Sequence, residues 1–333
     1  AVSSIKSMVL NYQRQKGKKC LNKLGYDCHG LPVEQRICKE KELKTISDIE
    51  NVGIDKFCEW CKEMIHKYSN PDNPQSWTPA MWRIGRWANY NKTYKTMDVE
   101  FMESTWNVFK TMYDKNLVYM GYKVVPYSWA CQTSLSNFEA SQNYQEINTK
   151  SVYVLFPLQN EDNTYFVAWT TTVWTLPSNI ALCVGKDIDY VKIRKDDKSY
   201  YISKTTVNKI FKKDTYTVLE TIKGKDLEGK RYYPIFDYFR DNSNLFRVVC
   251  DSYVKDTSSA GTGIVHQSPA FGNDDFNICV KNGLVTNTTV NDFCTVGCDG
   301  KFNNLVPEFE NQHVFDDKTT VNLIIEIKKR GLF

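Results

Sequence analysis

A change of period near residue 150 is the feature that most restricts how this chain folds. Before it, apolar side chains recur at helical spacing in Ile5 to Tyr12, in Phe57 to Tyr68 and most clearly at Met102, Trp106, Phe109, Met112 and Tyr113. Positions three and four apart share one helix face, so each stretch predicts an amphipathic helix. The proline-rich stretch Ser69 to Pro79 predicts an irregular excursion between helices. From Ser151 onward short β-branched or aromatic runs take over: SVYVLFP, TYFVAWT, ALCV, DYVKI, SYYI, YTVLE, FRVVC and GTGIVH, parted by turn residues. Such runs predict a β-barrel-like or sandwich arrangement. Two helices interrupt them, one opening near Gly272 to Asp275 and one from about Asp317 to Arg330, with Gly331 as its stop. The expected fold class is therefore mixed α+β, with a mostly helical α/β part over 1–150 and a β-rich domain with peripheral helices over 151–333.

Composition removes other classes. Of 333 residues, 41% are apolar and 25% charged, which excludes a disordered or fibrous chain and suffices for more than one core. No apolar run reaches the ~20 residues that span a bilayer, and the first residues form an amphipathic pattern without a signal-peptide core. A soluble, cytoplasmic protein with no membrane association is expected. Eleven cysteines at irregular spacing predict reduced thiols over a disulfide framework. Cys58, Cys61 and His66 hint at zinc, but they fall inside a helical pattern and no second cysteine pair follows, so no metal site is assigned. A net charge of +4 permits a polyanionic partner without requiring one.

Polar and glycine-rich blocks at predicted turns carry more information. GYDCHGLPVE (Gly25 to Glu34) resembles the signature GWDCHGLPIE of isoleucyl-type class I aminoacyl-tRNA synthetases, with Tyr26 in place of tryptophan. The stretch Gly85 to Ser128 and the following LSNFE resemble the eukaryotic cytoplasmic branch of that family. AWTTTVWTLPSN (Ala168 to Asn179) and GTGIVHQSPAFGNDD (Gly261 to Asp275) are similar to the family's two editing motifs, with Val173 where proline is usual. Separate blocks in the family's order are far more specific than any one of them.

The resemblance implies a partial Rossmann-type catalytic domain over 1–150 and an editing domain over 151–333. It also implies that the HIGH and KMSKS motifs, absent from the 333 residues, lie outside them, so amino-acid activation by this chain alone is not expected. ATP and Mg²⁺ would serve the full-length enzyme, and editing would need no cofactor. The implied partner is tRNA(Ile), especially its 3′-terminal aminoacyl-adenosine bearing valine or isoleucine, and a monomer is expected. Two rivals stay open. One is a non-catalytic tRNA- or protein-binding module that keeps the editing fold, and the other is a valyl-type editing domain acting on Thr-tRNA(Val).

Each candidate residue has a plain and a chemical reading. Asp275 sits where a helix should begin and could satisfy orphan N–H groups there. The resemblance instead makes it the carboxylate for the substrate's α-ammonium, since it follows His266 by nine residues as in the family. Thr170, Thr171 and Thr172 are β formers, and equally hydroxyls able to hold a ribose, a carbonyl oxygen or a water. Trp174 fits a core as readily as an adenine platform, and the resemblance places Trp174, Asn179 and Gly263 on the substrate side of the editing site. His266 invites a general-base role, but the resemblance makes it the pocket wall that excludes isoleucine. In the first block Asp27, His29 and Gly25 are implied to form half of the amino-acid site.

Overall fold

The near-continuous apolar runs TYFVAWT and SVYVLFP pair as neighbouring strands and bury most of their positions on both faces. The computed structural model of the chain describes residues 2–255 and 261–333. It divides into two compact units, Ala1–Met120 and Gly121–Phe333.

The first unit holds helices α1 (Val2–Gln15), α2 (Leu31–Lys41), α3 (Ile46–Val52), α4 (Ile54–Ser69), α5 (Trp77–Arg83) and α6 (Val99–Asp114) together with a two-stranded parallel ladder. The ladder pairs β1 (Gly25–Tyr26) with β2 (Tyr94–Lys95). Thr45 and Asp48 form a reciprocal capping box at α3. The irregular excursion ends earlier than its prolines imply: Ser76 caps α5, and Pro79 stands in the first turn, where a missing N–H costs nothing. A small cluster packs together, Cys28, Val33 and Ile65 with Tyr26 and Met64 against it, and Ile37, Phe57 and Tyr90 are buried as well. The apolar face of α6 stays in the open, with no buried residue and Trp106 at 66% exposure.

The second unit starts with a hairpin, β3 (Tyr127–Ser128) and β4 (Thr133–Ser134), and a one-turn helix α7 (Asn137–Ala140). Then follow β5 (Val152–Pro157), β6 (Thr164–Thr170), a 3₁₀ segment Val173–Ser178, β7 (Ala181–Val184), β8 (Asp189–Lys195), β9 (Lys198–Ser203), α8 (Val207–Ile210), β10 (Thr217–Lys223), β11 (Arg247–Cys250), β12 (Ile264–Gln267), α9 (Asn273–Lys281) and α10 (Asp317–Lys329). One sheet runs β10-β8-β9-β6-β5 and the other β11-β7-β12. β9 and β6 are parallel, as are β11 and β7, and the remaining pairs are antiparallel. Among the described residues neither sheet closes on itself, which corrects the closed form of a barrel: β10 is exposed along nearly its whole length and is a sheet edge. β7 is buried at every position, and β12 pairs with it while packing against β6. Phe166, Leu182, Val248, Ile264, Cys279 and Leu323 meet in the shared core.

Residues 121–150, grouped by sequence with the helical part, lie in this second unit. The Tyr127 hydroxyl donates to the Cys298 carbonyl at 3.2 Å, and Trp129 stands edge-on to His313 with centroids 4.5 Å apart.

Candidate functional site

The loop after β6 is held by its own threonines. A strand that turns abruptly into a 3₁₀ segment leaves donors and acceptors to satisfy, and hydroxyls two and three residues apart do so. Thr170 Oγ1 accepts from the Thr172 N–H at 3.1 Å and lies 3.2 Å from Thr172 Oγ1. Thr172 Oγ1 is 3.3 Å from Thr175 Oγ1, and the Thr175 hydroxyl donates to the Thr172 carbonyl at 2.8 Å. The same Thr175 oxygen lies 3.0 Å from Nε2 of His266 on β12. Hydroxyls from β6 are thus tied to the histidine of the second motif, far apart in sequence.

The three adjacent threonines are not equivalent. Thr170 and Thr172 spend their hydroxyls in this network, whereas Thr171 is exposed and its hydroxyl bonds to no described residue. Val173, in the place of the family's proline, opens the 3₁₀ segment and is buried, so the turn forms without the ring.

Asp275 occupies the first turn of α9, yet it does not cap that helix. Its Oδ2 accepts from the Ser268 backbone N–H at 3.0 Å, on the loop leaving β12, two residues past His266. Oδ1 is bonded to no described residue. A Cβ at Gly272 would come within 2.9 Å of the Asp275 carboxyl carbon and of Oδ2, so glycine there lets the carboxylate fold back. Burial pushes the Asp275 carboxyl up to about 6, Asp274 adds to the rise and the Ser268 bond opposes it. Burial alone depresses His266 to about 4, so the ring is neutral at pH 7. Its Nδ1 is buried with no hydrogen-bond partner among the described residues.

Two other candidates serve the core. The Asn179 side chain is 2% exposed, with its amide donating to the Ala181 carbonyl at 2.9 Å and its oxygen accepting from the buried Tyr232 hydroxyl at 2.7 Å. Those bonds use one of its two N–H donors and one acceptor site of its oxygen, and they tie the 3₁₀ segment to the strand that follows. Gly263 has φ +76°, and a Cβ there would come within 2.7 Å of Ser203 Cβ, while its carbonyl accepts from Tyr190. Its task is a close strand approach. Trp174 is half-buried, edge-on to Phe271 and Phe315 with centroids 5.0 and 5.9 Å away. It stands in the wall of a cavity of about 580 Å³, together with Tyr122, Trp129, Asn291 and Cys294. That cavity is not lined by the threonines, His266 or Asp275.

In the first unit Asp27 and His29 are exposed, flanking buried Cys28. His29 Nδ1 lies 3.2 Å from the Thr96 hydroxyl, which also accepts from the Cys28 N–H at 2.9 Å. Gly25 is exposed in the short ladder, and Tyr26 stacks on Trp77 with centroids 5.6 Å apart. The sequence reading missed Thr175 and Ser268. Thr175 had a local signal, its spacing of three from Thr172, but Ser268 had none, because its contribution is a backbone N–H.

The model of the family described as tRNA synthetases class I (I, L, M and V) matches residues 2–263. The chain belongs to this family of class I tRNA synthetases. Within it, the chain is 42% identical over 335 residues to the cytoplasmic isoleucine–tRNA ligase of Mus musculus and 39% identical over 330 residues to that of Saccharomyces cerevisiae. Those alignments take in 98% and 97% of this chain but 26% and 30% of the relatives, so the chain spans about a quarter to a third of their length. A solved editing domain of the P. knowlesi cytosolic leucyl-tRNA synthetase aligns with a TM-score of 0.32 and 13% identity over 54% of this chain and 84% of its own, a likeness too slight to carry weight. Among the described residues, no helix is long and apolar enough to cross a membrane.

Proposed function

We propose that the second unit is a proofreading hydrolase that cleaves the ester of Val-tRNA(Ile), as part of a cytoplasmic isoleucine–tRNA ligase. One methylene separates isoleucine from valine and gives a hydrophobic pocket only ~1–3 kcal/mol of discrimination, a limit for which this family is the standard illustration, together with its remedy of a second, hydrolytic site. The observation that carries the reading is the Asp275 carboxylate, turned away from its own helix and fixed beside the loop of His266 with one oxygen unengaged.

Asp275 would bind the free α-ammonium through a charge-assisted hydrogen bond, which selects an aminoacyl over a peptidyl ester. Thr171 would present its free hydroxyl to the ribose, the ester carbonyl or the attacking water. His266, neutral and packed in place, would wall the side-chain pocket against isoleucine. Rate enhancement would come chiefly from orienting water against the ester. The partner is the 3′ end of tRNA(Ile), with the chain acting as a monomer. Hydrolysis draws on no cofactor. In a whole ligase, ATP and Mg²⁺ would serve the joining of isoleucine to tRNA(Ile), with Asp27, His29 and Gly25 contributing to the amino-acid site.

The test offers the chain Val-tRNA(Ile), Ile-tRNA(Ile) and Thr-tRNA(Val) and follows ester loss. Fastest hydrolysis of the valyl ester is expected. Preference for Thr-tRNA(Val) would make the domain valyl-type, and salt-dependent tRNA binding without ester loss would make it a binding module.

A further inference from the structure

The Thr175 hydroxyl owns a single proton, and the shortest of its contacts, at 2.8 Å, is to the Thr172 carbonyl, which can only accept. With that proton committed, the two remaining neighbours must donate to Thr175. One is the Thr172 hydroxyl at 3.3 Å, the other Nε2 of His266 at 3.0 Å. A direction then propagates along the network. Thr172 donates to Thr175, so at the 3.2 Å contact Thr170 donates to Thr172, and Thr170 accepts from the Thr172 N–H. Burial keeps His266 neutral, so it carries one ring proton.

We propose that Thr175 is a positioning residue that holds His266 in its Nε2–H tautomer, leaving Nδ1 as a bare acceptor for a ligand's hydrogen-bond donor. His266 is 7% exposed, and Nδ1 has no partner among the described residues. A buried acceptor left unpaired is costly, and such groups in native proteins call for a reason. An alkylammonium or a hydroxyl supplies the missing donor, whereas an ester carbonyl facing Nδ1 is repelled. The opposite tautomer would invert this choice. The tautomer stands on the hydrogen-bond geometry and the burial of the ring, while the choice of ligand rests on the proofreading reading above.

The experiment is two-bond ¹H–¹⁵N correlation of the histidine rings in the ¹⁵N-labelled chain at neutral pH, with His266→Gln used to assign its signals among the four histidines. Expected are a protonated Nε2 and a pyridine-type Nδ1 in the wild type, retention of that pattern in Thr175→Ser, and its loss to a mixture or to Nδ1–H in Thr175→Val. A wild-type Nδ1–H ring, or an unchanged pattern in Thr175→Val, overturns the proposal; the wild-type and serine spectra decide it if the valine variant does not fold. In parallel, the ratio of valyl to isoleucyl ester hydrolysis should shrink by roughly tenfold in Thr175→Val and recover in Thr175→Ser. The expected tautomer with no hydrolysis of either ester would leave the positioning role intact and remove the proofreading reading.

Discussion

The two units carry family motifs of similar density and treat them in opposite ways. In the first, Asp27 and His29 stand exposed on either side of one buried thiol, beside a small cluster of buried residues, and α6 presents its aromatic face to solvent. In the second, Thr170, Thr175, His266 and Asn179 are buried within a sheet-and-helix core, and each is hydrogen-bonded to another element or to the turn it shapes. A motif can thus mark a surface loop that its own unit barely supports, or a set of side chains on which the surrounding fold depends. Only in the second case should one substitution disturb chemistry and stability together.

Removing the carboxylate should have the largest effect. Asp275→Ala is expected to slow Val-tRNA(Ile) hydrolysis by roughly 30- to 150-fold, the value of a charge-assisted hydrogen bond of about 2–3 kcal/mol. Asp275→Asn should lose comparable activity while gaining stability. Burial raises the carboxyl from 3.8 to about 6, so between about pH 4 and 6 the folded chain keeps a proton that the unfolded chain has released. The group's contribution therefore falls as pH rises through that window, and the cost persists above it. The asparagine should raise stability at pH 7 by about 1–3 kcal/mol, measured by denaturant unfolding, with the difference vanishing near pH 4. His266 acts in the other direction. Depressed from 6.5 to about 4, it stabilises the fold increasingly as pH rises between those values, so His266→Gln should flatten that part of the stability profile.

The adjacent threonines sharpen the contrast within one loop. Thr170→Val, which breaks the network, should cost about 1–3 kcal/mol in unfolding free energy. Thr171→Val should leave stability unchanged and slow hydrolysis by about tenfold, read from single-turnover deacylation. The smallest effect is expected in the first unit, where Asp27→Ala should alter its unfolding by no more than ~0.5 kcal/mol. A loss of several kcal/mol there would erase the distinction between the units.

Much of the architecture was legible in the chain itself. Helical spacing located α1, α4 and α6 but not α2, α3 or α5, the extended runs located most strands of the second unit, α9 begins at Asn273 as the acidic cluster implies, and Gly331, at φ +70°, follows α10 as its stop. Sheet closure was not legible, because it depends on what β10 meets at its outer edge and not on the alternation within it. The division of the chain was also hidden, since the contacts that join Tyr127 to Cys298 and Trp129 to His313 are far apart in sequence. At the site, residue types pointed to His266, Asp275 and the threonines, but could not distinguish a spent hydroxyl from a free one. Asn179 shows the same limit. An asparagine beside a motif looks the same whether it faces a ligand or, as here, a buried tyrosine.

Deacylation of Val-tRNA(Ile) by the wild-type chain and by Asp275→Ala, at pH 7.5 under single-turnover conditions, bears most directly on the site. Rapid ester loss in the wild type and a slowing of at least tenfold in the variant are expected. Equal rates would mean that the carboxylate beside Ser268 takes no part in holding the substrate, and the assignment of this site to proofreading would be wrong.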